Sequence, residues 1–437
     1  MIVTPAHSDS IQAGSPLRRG ACPSLSAPMP TGDGLLARLL PTGTIALDAF
    51  RGLCTAARQH GNGIIEITAR GSIQVRGLNA ASAIRFADAV GGLGIAMADT
   101  IPVLNNPLAG LDADEILDAG AIAAALRGAL ARTPLPQHLA PKVSVIVDGG
   151  GAIGLGKLVA DVRLQAVRTN DQVVFHVAAA GDQTTALPLG TVALDDAVEV
   201  TLHILDVIAH SGHGARARDL VAADAGEAFR AAIADFLISD ASPAGAQKSG
   251  EPIGAHPLRG NMFACGLGLA FGHAGAAALD ELMQLAAAGG ASGVRAAPGR
   301  VILIVGLAQH VVAPLTAAAE GLGFIVRPDD QRRHVFACAG APICASAHIP
   351  ARALAPRITE IAASRLGPTF DIHISGCSKG CAHSKRAGLT LVGTSAGCAL
   401  IAGGTARDIA FATTSVDELP GAVARFINGP AEESGHV

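Results

Sequence analysis

The sequence predicts a duplicated α+β chain, and two internal offsets and one asymmetry between the copies carry that prediction. Shifted by 229 residues, Thr44–Met97 falls without gaps on His273–Val326. Gly61 lands on Gly290, Gly77-Leu78 on Gly306-Leu307, and Gly92-Leu93-Gly94 on Gly321-Leu322-Gly323. Shifted by 227 residues, Val145–Gly151 (VIVDGGG) falls on Ile372–Ser378 (IHISGCS), and Asp161–Leu164 on Gly388–Leu391. The asymmetry is chemical, because the second copy has cysteines where the first has a glycine-rich turn. Matching glycine groups at one fixed offset are not expected of two merely Ala-rich helices, and a repeat constrains the fold before any local reading.

The elements follow from periodicity. In the first copy a strand-like run, Leu35–Leu40, leads to an apolar helix, Leu47–Gln59, an alternating strand, Ile64–Val75, and a second helix, Asn79–Ala89. The second copy repeats them as Cys265–Phe271, Ala276–Ala288, Gly293–Ile304 and Ala308–Ala318. That strand–helix–strand–helix order makes half of a sheet-plus-helices domain, and two halves can pair across a pseudo-two-fold axis. Between the copies, Ala160–Val167, Gln172–Ala178 and Thr184–Leu189 read as strands, and Leu202–His210 and Asp224–Ile238 as helices. Near the end, Leu389–Val392 and Ala399–Ile401 read as a hairpin around Gly393–Gly397, followed by a helix, Val416–Ile427. Residues 1–17 and 429–437 are expected to be disordered, and Ser239–Pro257 reads as the internal linker.

Composition removes several function classes. At 437 residues the chain is too long for one ordinary core and suggests two to four domains. A formal net charge of -4 gives no reason to expect nucleic acid. Apolar stretches such as Ala119–Ala131 are interrupted by Gly and Arg and fall short of a membrane span. The first residues, MIVTPAHSDS, lack the apolar core of a secretory leader. Together with reduced metal-ligating thiols, this leads us to expect a cytoplasmic protein.

Those thiols organise the chain. Cys338 and Cys344 stand as C-x5-C, and Cys377 and Cys381 as C-x3-C. Four thiolates around one soft centre are what a [4Fe–4S] cluster requires. Structural zinc favours C-x2–4-C spacing in both halves, so the first pair argues against it. Cys22, Cys54, Cys265 and Cys398 read as structural. Gly149–Gly156 (GGGAIGLG) lacks the acidic partner of a dinucleotide fingerprint and reads as a turn. His203, His210 and His213 read as a solvated helix face. His348, His373 and His383 flank the cysteines, without the carboxylate spacing that would make them ligands of a mononuclear iron.

With a duplicated chain around it, the cysteine motif resembles the nitrite and sulfite reductase superfamily. Ile67–Leu78 (ITARGSIQVRGL) is similar to that family's Thr-x-Arg-x-x-x-Gln strand beneath its tetrapyrrole. Leu135–Gly150 resembles its Leu-Pro…Lys segment, and Asn105–Gly110 the loop facing the macrocycle. The similarity runs from Arg18 to Asn428. It implies two ferredoxin-like half-domains paired by a pseudo-two-fold and two α+β tetrapyrrole- and cluster-binding domains. The expected boundaries are 18–98, 99–240, 241–327 and 328–437, with the cluster in the last.

Within the superfamily, the opening Arg18–Leu39 (RRGACPSLSAPMPTGDGLLARL) looks like that of the precorrin-3B synthase family. The departures agree: Ser144 stands where siroheme reductases carry a second Lys, and Pro102-Val103-Leu104 where they carry an Arg. Reducing a small anion needs converging cations, so their loss weakens a reductase reading. The resemblance implies an O2-dependent monooxygenation of the tetrapyrrole precorrin-3A in cobalamin biosynthesis. It also implies a mononuclear non-haem iron beside the cluster, and NADH feeding electrons through a donor protein. The runner-up is a short siroheme-dependent sulfite or nitrite reductase, and a non-catalytic cluster carrier comes third. Precorrin carboxylates call for Arg and Lys. Arg70 and Gln74 match the family's strand, with Arg38, Arg76 and Lys142 behind them. Alternation along one strand would put Arg70, Ser72, Gln74 and Arg76 on one face.

Overall fold

The computed structural model describes residues 23–98, 101–169, 172–238 and 250–429. Cys22, most of the expected linker (239–249) and nearly all of the two end segments lie outside the described residues. The chain opens with β1 (Met29–Thr31), β2 (Gly34–Leu39), α1 (Leu47–His60), β3 (Ile64–Ile67), β4 (Ile73–Leu78) and α2 (Ala80–Gly91). It continues through β5 (Val103–Asn105), α3 (Ala119–Ala131), α4 (Leu135–His138), β6 (Val145–Asp148), β7 (Ala160–Thr169), β8 (Gln172–Gly181) and β9 (Leu187–Val192). Helices α5 (Ala197–His210), α6 (Ala217–Asp224) and α7 (Glu227–Ile233) close that stretch. Next come β10 (Gly254–Leu258), β11 (Met262–Gly268), β12 (His273–Gly275), α8 (Ala276–Ala288), β13 (Gly293–Ala297), β14 (Val301–Ala308) and α9 (Gln309–Gly321). The last stretch holds β15 (Val335–Ala337), α10 (Ala351–Ala362), β16 (Ile372–Ser375), β17 (Ala387–Thr394), β18 (Gly397–Gly404), β19 (Ala412–Thr414) and α11 (Leu419–Asn428).

Four sheets result, two of each kind. One pair has the orders β1-β2-β4-β3-β12 and β10-β11-β14-β13; the other has β5-β6-β7-β8-β9 and β15-β16-β17-β18-β19. The second pair shares one register. Val145 opposes Val162 in β6–β7, and Ile372 opposes Leu389 in β16–β17, both parallel and both related by the 227-residue offset. The first pair is joined about the pseudo-two-fold. Ala274 bridges Ile65, and their counterparts Ile45 and Val294 bridge each other. Arg51 Nε donates to Asp280 Oδ1 at 2.9 Å, and these two positions are themselves equivalent under the 229-residue offset. Each half therefore lends the segment before its first helix to the other half's sheet edge.

Four details differ from the sequence reading. The run expected as one strand, Ile64–Val75, is the β3–β4 hairpin, because Gly71 at φ +85° turns the chain and its N–H donates to Thr68 O. Gly293–Ile304 turns likewise at Gly299 and Arg300, both with positive φ. Each half is thus strand–helix–strand–strand–helix, and Arg70 stands in the turn rather than sharing a strand face with Gln74. The expected helix Asp224–Ile238 is broken by Ala225 and Gly226, both left-handed, and ends in a 3-10 turn, Ala234–Phe236. The strand expected at Thr184–Leu189 begins at Leu187, because Asp182 accepts hydrogen bonds from Thr184 and Thr185 and holds them in a turn. Gly254–Pro257 of the expected linker pairs with β11 as an edge strand.

Burial separates the two faces of the first sheet. Helices α1 and α2 cover one face over a core that includes Phe50, Leu53, Ile65, Val75 and Phe86. A capping box at Asn79 and Ser82 starts α2. The other face carries Arg38, Gln74, Glu66 and His273 in one cross-strand row. The matching face of the second sheet is apolar: Leu303 and Val305 stand where Gln74 and Arg76 stand, and they pack with Leu108 and Ile153. Of the two equivalent faces, one is filled by side chains and one is left polar. Among the described residues no helix is long and apolar enough to cross a membrane.

Candidate functional site

The four motif cysteines come from two turns at one end of the β15–β16–β17 sheet. Cys338 directly follows β15, and Cys377 follows β16 by two residues. Gly376 N–H donates to Cys338 Sγ at 3.1 Å. Gly340 and Gly380 have positive φ, as tight loops around a bulky group require. Burial raises the Cys338 and Cys381 thiols above their ordinary pKa, and the neighbouring motif thiols raise them further. Four mutually repelling thiolates need a cationic centre among them, so the donor set fits an iron–sulfur cluster. Among the described residues no three His, Cys, Asp or Glu side chains converge where one metal ion could sit. No ligand set is therefore assigned to the mononuclear iron implied by resemblance.

In the first copy other side chains stand at the corresponding turns. Asn106 follows β5 as Cys338 follows β15, and Gly149 N–H donates to Asn106 Oδ1 at 2.6 Å where Gly376 donates to sulfur. Asn106 Nδ2 donates to Asp148 Oδ1 at 2.8 Å and to Ile153 O at 3.1 Å. Asp112 accepts from Ala152 N–H at 2.6 Å. Amide and carboxylate hydrogen bonds knit those loops. Among the described residues only the C-terminal copy of this turn pair carries cysteines.

The first sheet's polar face leads from these thiols to a cavity of about 750 Å³. Gln74 accepts from Arg38 Nε at 2.9 Å, with its amide oriented for that contact, and donates to Glu66 Oε2 at 3.3 Å. Glu66 Oε1 accepts from Arg352 at 3.2 Å, and its Oε2 lies 3.7 Å from Arg76. Arg76 grips Asp33 with two 2.8 Å bonds. Burial raises the Asp33 carboxyl, but the Arg76 fork outweighs it and leaves the pKa below the usual range. Arg76 also eases ionisation of Cys381. With its fork on Asp33, it presents charge to the thiols more than a free fork to a substrate.

Arg38, Arg70, Asn105, Arg127 and Arg295 line the cavity, with Asp118 opposing them. Burial depresses the pKa of Arg127 and Arg295. Arg70 reaches out of its turn to Val159 O at 2.7 Å and Ser144 Oγ at 3.2 Å. Lys142 is exposed, two residues before Ser144. Sequence reasoning missed Asp33, Glu66, Arg127, Arg295 and Arg352, and all but Asp33 belong to no motif. Asp33 had a signal, because it lies inside the opening MPTGDGLL.

Behind the second cysteine turn, Arg300 lies 4.4 Å over the Phe336 ring, which stacks 4.4 Å from His383. His373 is fully buried, and neither ring nitrogen has a hydrogen-bond partner. Burial, then His383 and Arg300, push its pKa down to about 4. The unfolded chain takes up this proton near pH 6.5, whereas the folded chain refuses it until about pH 4, so stability is lost as pH falls through that window. Between pH 7 and 5 this one group should cost about 2 kcal/mol. Urea unfolding of the cluster-free chain at both pH values should show that loss, and His373→Phe should reduce it. An identical pH dependence in the two proteins would contradict the assignment.

Residues 27–90 match the family model of the nitrite/sulfite reductase ferredoxin-like half domain. A precorrin-3B synthase from Sinorhizobium sp is 42% identical over 411 residues, covering 94% of this chain and 88% of that protein. A ferredoxin–nitrite reductase from Synechococcus elongatus is 23% identical over 392 residues, covering 82% and 76%. The solved structure of the Mycobacterium tuberculosis NirA protein superposes with a TM-score of 0.71 at 19% identity, covering 92% of this chain and 82% of that one. The duplicated α+β architecture expected from the sequence is therefore the one this chain has.

Proposed function

The chain belongs to the precorrin-3B synthase family, and from that premise we propose that it oxygenates precorrin-3A at C20 in aerobic cobalamin (vitamin B12) biosynthesis. A ring-A acetate then closes a γ-lactone. One atom of O2 enters the macrocycle and the other leaves as water, with two electrons and two protons supplied. The electrons come ultimately from NADH, through a donor protein. Cys338, Cys344, Cys377 and Cys381 hold a [4Fe–4S] cluster, which when bound supplies one-electron transfer. No step is assigned to a mononuclear iron.

The chain's own residues bind and orient the macrocycle. Arg38 and Gln74 offer carboxylate recognition on the polar sheet face, and the cationic cavity wall of Arg70, Arg127 and Arg295 suits a substrate rich in acetates and propionates. Lys142, exposed two residues before Ser144, is the further cation offered to a carboxylate. Arg76, fixed on Asp33, stabilises negative charge at Cys381.

The observation that carries the choice between oxygenase and reductase is Ser144. It is buried and engaged by Arg70, at the position where siroheme reductases place an anion-binding lysine by resemblance. Without that cation, a small anion has weaker electrostatic support for reduction. A passive cluster carrier has no use for the cavity. Given a low-potential reductant, the reconstituted chain should leave sulfite and nitrite unchanged and consume precorrin-3A in air. Sustained formation of sulfide or ammonia would install the reductase reading instead.

A further inference from the structure

Arg352 is a half-buried cation with two of its donor atoms unanswered. It is the second residue of α10, whose first residue packs under the cysteine turn: a Cβ on Gly340 would stand 2.4 Å from Ala351 N. Its Nη2 donates to Glu66 Oε1, but Nε and Nη1 are buried with no hydrogen-bond partner. Other guanidinium groups in and around the cavity are answered. Arg76 is held by Asp33, Arg163 by the Leu155 and Leu158 carbonyls, and Arg295 by those of Pro107 and Ala109. A buried charged donor without an acceptor is costly, so an unpaired one points to an anionic partner. Burial lowers the Arg352 pKa, and of the thiols Cys338 is the one that acts to restore it.

We propose that Arg352, positioned by Glu66, donates its two unpartnered groups to sulfur of the iron–sulfur cluster and raises the cluster's reduction potential. The proposal rests on the cluster reading above. Reduction adds negative charge to the cluster, and hydrogen bonds to sulfur with a nearby cation stabilise the reduced form more than the oxidised one. A substrate carboxylate is the other anion such donors could serve. The position of Arg352 directly behind the first cysteine turn favours the cluster.

The test is an EPR-monitored redox titration, without substrate, of reconstituted wild type, Arg352→Met and Arg352→Lys, with iron counted in each. Arg352→Met should keep about four irons per chain and show a midpoint lower by about 59 mV, a tenfold fall in the one-electron equilibrium. Arg352→Lys should shift it less, in the same direction, and carries the test if the Met variant does not fold. An unchanged midpoint in loaded variants overturns the proposal. An unchanged midpoint with weakened precorrin-3A binding also overturns it and reassigns the donors to a substrate carboxylate. If the wild type itself takes up no cluster, the cluster reading has failed instead.

Discussion

Replacing Cys381 with alanine is expected to leave the chain without a stable [4Fe–4S] cluster and to reduce precorrin-3A turnover more than about 100-fold, beyond what loss of a supporting residue usually costs. Cys381 is the exposed member of the four thiols. It is also the thiol on which Arg76 acts directly. Three thiolates cannot complete the four-cysteine ligation. Iron and acid-labile sulfide should fall together, and the reduced EPR signal should vanish. Cys398→Ala is the control. That thiol is fully buried in the core beside the same sheet, with its pKa pushed up to about 12, so its loss should leave iron content unchanged. Full iron content and turnover in Cys381→Ala would mean that the cluster is held elsewhere.

Gly32→Val should abolish cluster loading without unfolding the chain. Gly32 turns the β1–β2 hairpin, and its carbonyl accepts from Ala345 N–H at 2.7 Å inside the cysteine segment. A Cβ there would stand 2.3 Å from Cys344 Sγ. Its backbone is outside the left-handed region, so a side chain costs no backbone strain. A free thiol can rotate away from the new methyl groups, but a thiol bonded to iron cannot. The cluster-free variant should therefore match wild type in urea stability to within about 1 kcal/mol, while iron per chain falls below about one of the four a cluster needs. Normal loading would separate the N-terminal hairpin from the cluster site.

The two predictions depend on features of different legibility. The cysteines, the glycine offsets and the β6/β16 correspondence could be read directly, because ligand spacing and sheet register are written locally. The hairpin turn at Gly71 could not, since the Ile64–Val75 alternation continues through it and only the positive φ reveals the break. Arg70 therefore stands in the turn and not on one strand face with Gln74. Arg352 and Glu66 were invisible, because their pairing joins residues 286 positions apart and neither belongs to a motif. The filled second face had no clear signal either. Leu303 and Val305 look like ordinary strand residues until the fold sets them against Gln74 and Arg76.

The most direct test of the oxygenase account is a single incubation of the reconstituted chain with precorrin-3A, a reductant and ¹⁸O2. The account predicts a product that carries one ¹⁸O atom in the macrocycle and has closed a lactone. A product without label, or none while the cluster is loaded and the substrate bound, would contradict it.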